Sequence, residues 1–417
     1  MLQNDLARRA DAVLGLKALA RLGVPGNIWF LGLTSLLTDI SSEMVVSILP
    51  AYLVLQLGLT PLVFGAIDGI YQGVSGLTRI AGGFLGDRAG RYKGVALFGY
   101  AASAMCKGLL LFVSSGFAIA GVILGDRIGK GIRTAPRDAL IALSVKRSDL
   151  GTAFGVHRAL DAIGATLGPF VAFAVLALAP RAFDAVFVVS LAFALMGILA
   201  LLLFVHDPGH GDRLDPERRV SIATALHLVR SPPLRRLIVA SAALSLGTIS
   251  DGFLYLILHR NLQFDAAAMP LLFAGTAACY FLAAVPFGLA ADRFGRRSVF
   301  LAGYGLLLLS YGLVLAPLSA AVQVCGVVIL LGAYYGATDG VVAALASSVL
   351  PVHLRGTGLS TVTTMTGAAR AISSVMFGYL WTVWTTRAVM QLFAVALMAA
   401  MVVAAGVLAR STEGGES

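Results

Sequence analysis

Residues 83–93 read Gly83-Phe84-Leu85-Gly86-Asp87-Arg88-Ala89-Gly90-Arg91-Tyr92-Lys93, and residues 288–297 read Gly288-Leu289-Ala290-Ala291-Asp292-Arg293-Phe294-Gly295-Arg296-Arg297. Both contain the pattern G-x-x-x-D-R-x-G-R, and each closes a long apolar run. Glycine supplies tight turns and close helix approach. Asp87 is placed to cap a neighbouring helix N-terminus and to pair with a nearby arginine. Arg88, Arg91 and Lys93 hold the first turn in water. A double occurrence at equivalent places marks the chain as an internal repeat of two halves.

The runs on either side set the scale. The chain has 417 residues, 58% hydrophobic and 12% charged, whereas soluble domains carry about 25% charged residues. That composition excludes a soluble enzyme or a nucleic-acid-binding domain as the main body. A span needs roughly 20 mostly apolar residues. Twelve such windows follow, near 27–55, 62–86, 95–115, 117–143, 151–178, 183–205, 235–259, 267–291, 298–317, 320–349, 356–383 and 387–409. The abundant glycines, 47 in all, suit helices that pack closely in a bilayer. Cys106, Cys279 and Cys325 lie inside apolar runs without metal-ligand or disulfide spacing.

The polar remainder divides the chain. Residues 1–26 are a basic N-terminal segment without the pattern of a signal peptide. Residues 27–205 form a first six-helix bundle, 206–234 a polar linker, 235–410 a second six-helix bundle, and 411–417 a tail. With both termini cytoplasmic, inner tails and loops carry 20 of the 31 basic residues, and outer loops carry three, Arg181, Arg260 and Arg387. This asymmetry predicts a multi-pass protein of the inner (plasma) membrane with both ends inside. It also accounts for most of the net charge of +10, so the charge does not call for a nucleic-acid partner.

With the repeated loop and the span count, the chain resembles the major facilitator superfamily over essentially its whole length. The resemblance implies an all-α membrane fold of two pseudo-symmetric six-helix bundles, with inverted three-helix repeats inside each half. It implies that Asp87, Arg88, Arg91, Asp292, Arg293 and Arg296 form a gating latch between the halves. Span 4 carries Gly125-Asp126-Arg127-Ile128-Gly129-Lys130-Gly131, similar to the family's intramembrane Arg-x-x-x-Gly motif. The resemblance links Arg127 to proton coupling. Span 5 carries Gly155, Gly164 and Gly168-Pro169 at the spacing of the family's antiporter motif, although Phe170-Val171-Ala172 departs from its usual glycine pair. The partial match tilts the expectation toward efflux. Pro169 removes a backbone donor and is expected to kink span 5.

Eight basic residues remain inside the spans: Arg79, Lys107, Arg127, Lys130, Arg133, Arg137, Arg158 and Arg370. Buried ionisable groups in a membrane are expensive, and they pair or face a water-filled cavity. At about 1.5 Å per residue, Asp39 lies about 18 Å into span 1, close to the midplane. Arg127, Asp161, Asp251, Asp339 and Arg370 fall at similar depth. Asp39 and Glu43 share one face of span 1. Their repulsion and burial both favour taking up a proton; with Arg127 and Asp161, at similar depth on spans that the resemblance implies are neighbours of span 1, they make the expected proton-coupling set of Asp39, Glu43, Arg127 and Asp161. At least one of these acids is expected within reach of Arg127 or Arg158.

Span 4 also bears Lys130, Arg133, Arg137 and Asp138 at three- or four-residue spacing. Counting acids against bases favours an internal ion network in the first half over a free cationic stripe. The few charges of the second half suggest more apolar substrate contacts there. Arg133, Arg158, Asp251, Tyr255, Tyr335, Asp339 and Arg370 are the candidate substrate-cavity residues.

The resulting expectation is a secondary transporter rather than an enzyme. It would act by alternating access on a small organic solute, with protons as coupling partner, in a lipid bilayer, as a monomer without a cofactor. No phosphate-cradling loop, no HExxH and no Ser–His arrangement at plausible spacing suggests catalysis. The alternative is an anion uniporter or symporter using the span 4 arginines. A metal-cation exporter using Asp39, Glu43 and Asp251 ranks lower, because no Cys or His cluster supports soft metals.

Overall fold

The computed structural model describes residues 24–89, 91–207, 231–350 and 355–409. Among the described residues the regular structure is all helical, and the helices fall on the twelve expected windows. In chain order they are α1 (Gly26–Pro50), α2 (Pro61–Ala89), α3 (Tyr92–Leu109), α4 (Gly116–Leu143), α5 (Leu150–Leu178) and α6 (Phe183–Phe204). The second half holds α7a (Pro232–Leu246), α7b (Asp251–Leu262), α8 (Met269–Phe294), α9 (Arg296–Leu315), α10 (Ala320–Ser348), α11 (Arg355–Val383) and α12 (Thr386–Ala409).

Counting α7a and α7b as one, eight spans are long and apolar enough to cross a membrane. The other four, α2, α3, α4 and α11, are the more charged or hydroxyl-rich ones. Large side chains such as Phe117, Leu178 and Leu282 stand exposed on the helix surfaces, as lipid-facing positions do.

Local chemistry explains the helix ends and breaks. Pro50 lacks a backbone donor, and α1 widens just after it into a π-type turn, Ala51–Gln56. Ser115 caps α4 by accepting from the Ala118 amide at 3.3 Å. Pro136 and Pro169 sit inside α4 and α5, and both helices continue through them.

The seventh span differs from its expected single window. It breaks at residues 247–250, and Ser250 opens α7b with an extended backbone. The freed backbone groups find partners. Tyr311 Oη donates to the Gly247 carbonyl at 3.2 Å and accepts from the Ile249 amide at 2.7 Å. Ser373 Oγ donates to the Thr248 carbonyl at 2.7 Å. A broken helix persists at membrane depth only when its backbone is satisfied in this way.

Two compact units emerge. The first contains residues 1–48 and 77–214, the second residues 49–76 and 215–417. The first thus holds most of α1, the later part of α2 and all of α3 to α6. The second holds α7a to α12 together with the end of α1 and the first half of α2. In the first unit α3 and α4 interlock at Gly99 and Gly129. A Cβ on either would lie 2.7 or 2.8 Å from the other's carbonyl oxygen, so side chains there would force the helices apart. Ile28, Leu31, Tyr100, Leu140 and Leu201 fill the core beside them. Most of the expected linker, residues 208–230, lies outside the described residues, as do residues 1–23 and 410–417.

Candidate functional site

In the first unit, α1, α4 and α5 meet around a carboxyl pair. Asp39 of α1 and Asp161 of α5 face each other closely enough to interact. Their cations come from the α4 stripe, whose three- or four-residue spacing presents one face. Lys130 Nζ and Arg133 Nη2 each lie 4.0 Å from Asp39 Oδ1. Arg137 Nη1 lies 3.8 Å from Asp161 Oδ1, and Arg137 Nη2 pairs with Asp138 at 3.0 Å. Ser35 Oγ accepts from Arg137 Nη1 at 3.3 Å and lies 2.9 Å from His157 Nε2.

These contacts to Asp39 and Asp161 are too long for full hydrogen bonds. Arg133 is 2% exposed with its guanidinium 4.5 Å above the Tyr100 ring, yet its Nη1 has no hydrogen-bond partner. Asp161 Oδ1 is likewise buried without one.

Asp39 pairs with other cations than Arg127. Arg127 turns to its neighbour Asp126 through Nε at 3.0 Å and through Nη2. Lys107 of α3 reaches the other oxygen of Asp126 at 2.9 Å, and Ser103 donates to it as well. Lys107, Asp126 and Arg127 are all nearly fully buried. This triad fastens α3 to α4. Arg158 is exposed, one residue on from buried His157. Asp39 thus has Lys130 and Arg133 as its ion-pair partners, where Arg127 or Arg158 was expected. Glu43, one turn beyond Asp39, packs its stem against Gly168 of α5.

The glycine pattern of α5 has a direct packing role. A Cβ on Gly168 would stand 2.8 Å from Glu43 Cβ and from the Ile40 carbonyl oxygen, and Gly164 abuts the Leu36 backbone. Gly155, by contrast, has open space beside it. The two later glycines set the α1–α5 distance, and hence the approach of Asp39 to Asp161.

The second unit collects a different group around the α7 break. Tyr335 Oη of α10 donates to Asp251 Oδ1 at 2.9 Å. Arg370 of α11 donates from Nη2 to Tyr334 Oη at 3.3 Å, while its Nε has no hydrogen-bond partner. Asp251 and exposed Asp339 both lie in its field. Asp68 of α2 joins them, accepting from Ser374 Oγ at 2.5 Å with Arg370 nearby. Arg370 thus acts electrostatically on three carboxyl groups.

Asp68 was absent from the sequence-based candidates, although an acid between Gly65 and Gly69 in an apolar span was a visible signal. Tyr255 is fully buried, with its hydroxyl 2.6 Å from Thr276 Oγ1, and serves the packing of α7b on α8. Among the described residues, no group of three or more His, Cys, Asp or Glu side chains is placed to hold a metal ion.

The repeated loops are partly visible. Asp87 and Arg88 belong to α2, but their side chains lie outside the described residues, as does Gly90; Arg91 is exposed. In the second copy Asp292 pairs with Arg296 at 3.5 Å, and Arg296 also donates to the Ala344 carbonyl of α10 at 3.4 Å. Gly295 adopts φ +92°, a region that explains its place in the motif. Arg293 lies 5.4 Å from the Phe294 ring. Lys93 ties the first loop to the end of α6, donating to the Leu202 and Val205 carbonyls at 3.0 and 2.7 Å.

The sequence profile of the Major Facilitator Superfamily matches residues 31–258 and 237–416, and the chain belongs to that family. An uncharacterized MFS-type transporter of Methanocaldococcus jannaschii is 30% identical over 368 residues, covering 85% of this chain and 88% of the relative. A protein of Mycobacterium tuberculosis is 25% identical over 378 residues, covering 88% of this chain and 90% of the relative.

Among solved structures, the fold is similar to the nucleoside transporter NupG, with TM-score 0.76, 14% identity and coverage of 92% of this chain and 99% of that one. It is also similar to the peptide transporter POT in complex with sulfate, with TM-score 0.72, 16% identity and coverage of 93% and 95%. The protein is a multi-pass membrane transporter of small molecules, not an enzyme.

Proposed function

We propose that the protein is a proton-coupled secondary transporter that exports a small organic solute by alternating access. It works as a monomer in the inner membrane with both termini cytoplasmic. The observation that carries this reading is the Asp39–Asp161 pair, set among Lys130, Arg133 and Arg137 at 3.8–4.0 Å.

Two carboxyls at close range share a proton more readily than either alone. Protonation of Asp39 releases Lys130 and Arg133, and deprotonation draws them back. Both sides of this exchange lie on α1, α4 and α5, so a proton changes how these helices hold together. The export direction is supported by the partial match of the α5 glycines to the family's antiporter motif, two of which, Gly164 and Gly168, pack against α1 beside the pair. Asp251, Tyr335, Asp339 and Arg370 supply the substrate contacts in the second unit.

The test is transport in proteoliposomes under an imposed pH gradient, with cationic, neutral and anionic solutes. Gradient-driven accumulation of one solute class, lost in Asp39→Asn and Asp161→Asn, supports the reading. Full gradient-driven transport in both variants refutes it. One observation favours a second reading, an anion carrier: Arg133 keeps an unpartnered donor, Nη1, beside Asp39. In that case only anions are carried, and neutralising Arg133 or Arg137 abolishes their binding.

A further inference from the structure

The first half of α2 lies against α11 with little between the backbones. A Cβ on Gly69 would stand 2.9 Å from the Ala371 carbonyl oxygen, one on Gly73 3.2 Å from Ala371 Cβ, and one on Gly76 3.0 Å from Thr364 Oγ1. Gly65 abuts the Ser374 carbonyl in the same way. Toward the α1–α2 turn the seam ends in rings. Phe64 meets Phe253 edge-on at 4.7 Å, and Phe253 packs on Phe377 at 4.7 Å and on Trp381 at 5.7 Å. Helices from opposite halves of the sequence are thus held together by small-residue fit, which drives association where lipid removes the hydrophobic difference.

Asp68 adds a charged contact to this surface. Its Oδ2 accepts from Ser374 Oγ at 2.5 Å, and Ser374 is 2% exposed. A hydroxyl donating to an ionised carboxylate makes a strong hydrogen bond. Gln72 on the same helix and Ser250 at the α7 break adjoin Asp68. The charged groups facing it are Arg370 of α11 and Asp251 of α7b, with Asp339 of α10 beyond Arg370. Ser373, next to Ser374, holds the Thr248 carbonyl in the α7 break. Two adjacent serines of α11 therefore fasten it to α7 and to α2 together.

We infer that Asp68 is a positioning residue for transport, whose bond to Ser374 holds the α2–α11 seam closed in the conformation described here. The inference rests on the alternating-access reading above, in which this seam parts when the opposite side of the transporter opens. The glycines set how near the helices come, and the Asp68–Ser374 bond sets how long they stay together. Arg370 connects this lock to the candidate substrate contacts, because it stands in the field of Asp68, Asp251 and Asp339 alike. A solute group that engages Asp251 or Arg370 alters the electrostatic field at the lock directly.

Disulfide trapping tests the lock without knowledge of the substrate. In a background with Cys106, Cys279 and Cys325 replaced by serine, Gly73→Cys and Ala371→Cys place two thiols within bridging reach. Cross-linking under a mild oxidant, followed in membranes by gel shift, reports the closed seam. Asp68→Asn and Ser374→Ala are each expected to slow cross-linking by about threefold or more, because the closed population falls. Their thermal stability should stay close to that of the parent. Unchanged cross-linking rates in both variants overturn the inference. If Asp68→Asn does not fold, Ser374→Ala alone decides. If Ser374→Ala slows cross-linking while Asp39→Asn retains gradient-driven transport, the proton-coupling reading fails and the lock stands.

Discussion

The two units handle buried charge in opposite ways. In the first, Asp126 is matched by Lys107, Arg127 and Ser103, and α4 supplies further cations to Asp39, Asp138 and Asp161. In the second, Asp68, Asp251 and the exposed Asp339 lie in the field of Arg370 without an ion pair to it, and Tyr334 and Tyr335 act as neutral hydrogen-bond partners. A matched network in a membrane fixes helices in place. An unmatched one leaves charge to be compensated by a proton or a solute. The first unit contains both kinds side by side: the short contacts of Asp126 against the 4.0 Å contacts of Asp39. Contact length, more than residue type, separates the structural pair from the candidate coupling pair.

Substitution of Asp126 should expose this contrast most strongly. Asp126→Asn removes the carboxylate that buried Lys107 and Arg127 both contact, and breaking a buried pair costs about 3–5 kcal/mol. Thermal unfolding in detergent should drop accordingly. Asp339→Asn removes one of three acids at an exposed position, so stability should change by less than about 0.5 kcal/mol. Equal destabilisation by the two variants would erase the distinction between matched and unmatched units. Gly129→Val tests the packing that supports the matched network. It drives a branched side chain into the Gly99 carbonyl and should cost about 1–3 kcal/mol through overpacking. The smallest effect belongs to the loop motif. Arg296→Ala removes an exposed ion pair with Asp292 and should lower stability by less than about 1 kcal/mol. A larger loss would show that the bond from Arg296 to the Ala344 carbonyl matters more than the ion pair.

Much of this is legible in the sequence. Apolar runs located twelve spans because a bilayer demands them, and the α4 basic stripe followed from three- and four-residue spacing. The Arg127–Asp126 pair was not legible, because adjacent helical residues do not normally face each other. Only the long arginine side chain, folded back toward α3 beside Lys107, brings them together. The break in α7 was also hidden, since its Gly247-Thr248-Ile249-Ser250 run is apolar enough to pass as helix. Its satisfaction by Tyr311 and Ser373 is a tertiary fact. Asp68 was overlooked because its meaning depends on Ser374, 306 residues away.

On the proposed reading the proton is handled at Asp39 in the first unit and the solute at Asp251 in the second. The direct measurement compares Asp39→Asn and Asp251→Asn in proteoliposomes, using a solute that the parent protein carries. Uptake driven by a pH gradient and solute counterflow without a gradient are followed in the same vesicles. The account predicts that Asp39→Asn loses gradient-driven transport and keeps counterflow, whereas Asp251→Asn loses both. Retention of full gradient-driven transport by Asp39→Asn, or identical defects in the two variants, would contradict it.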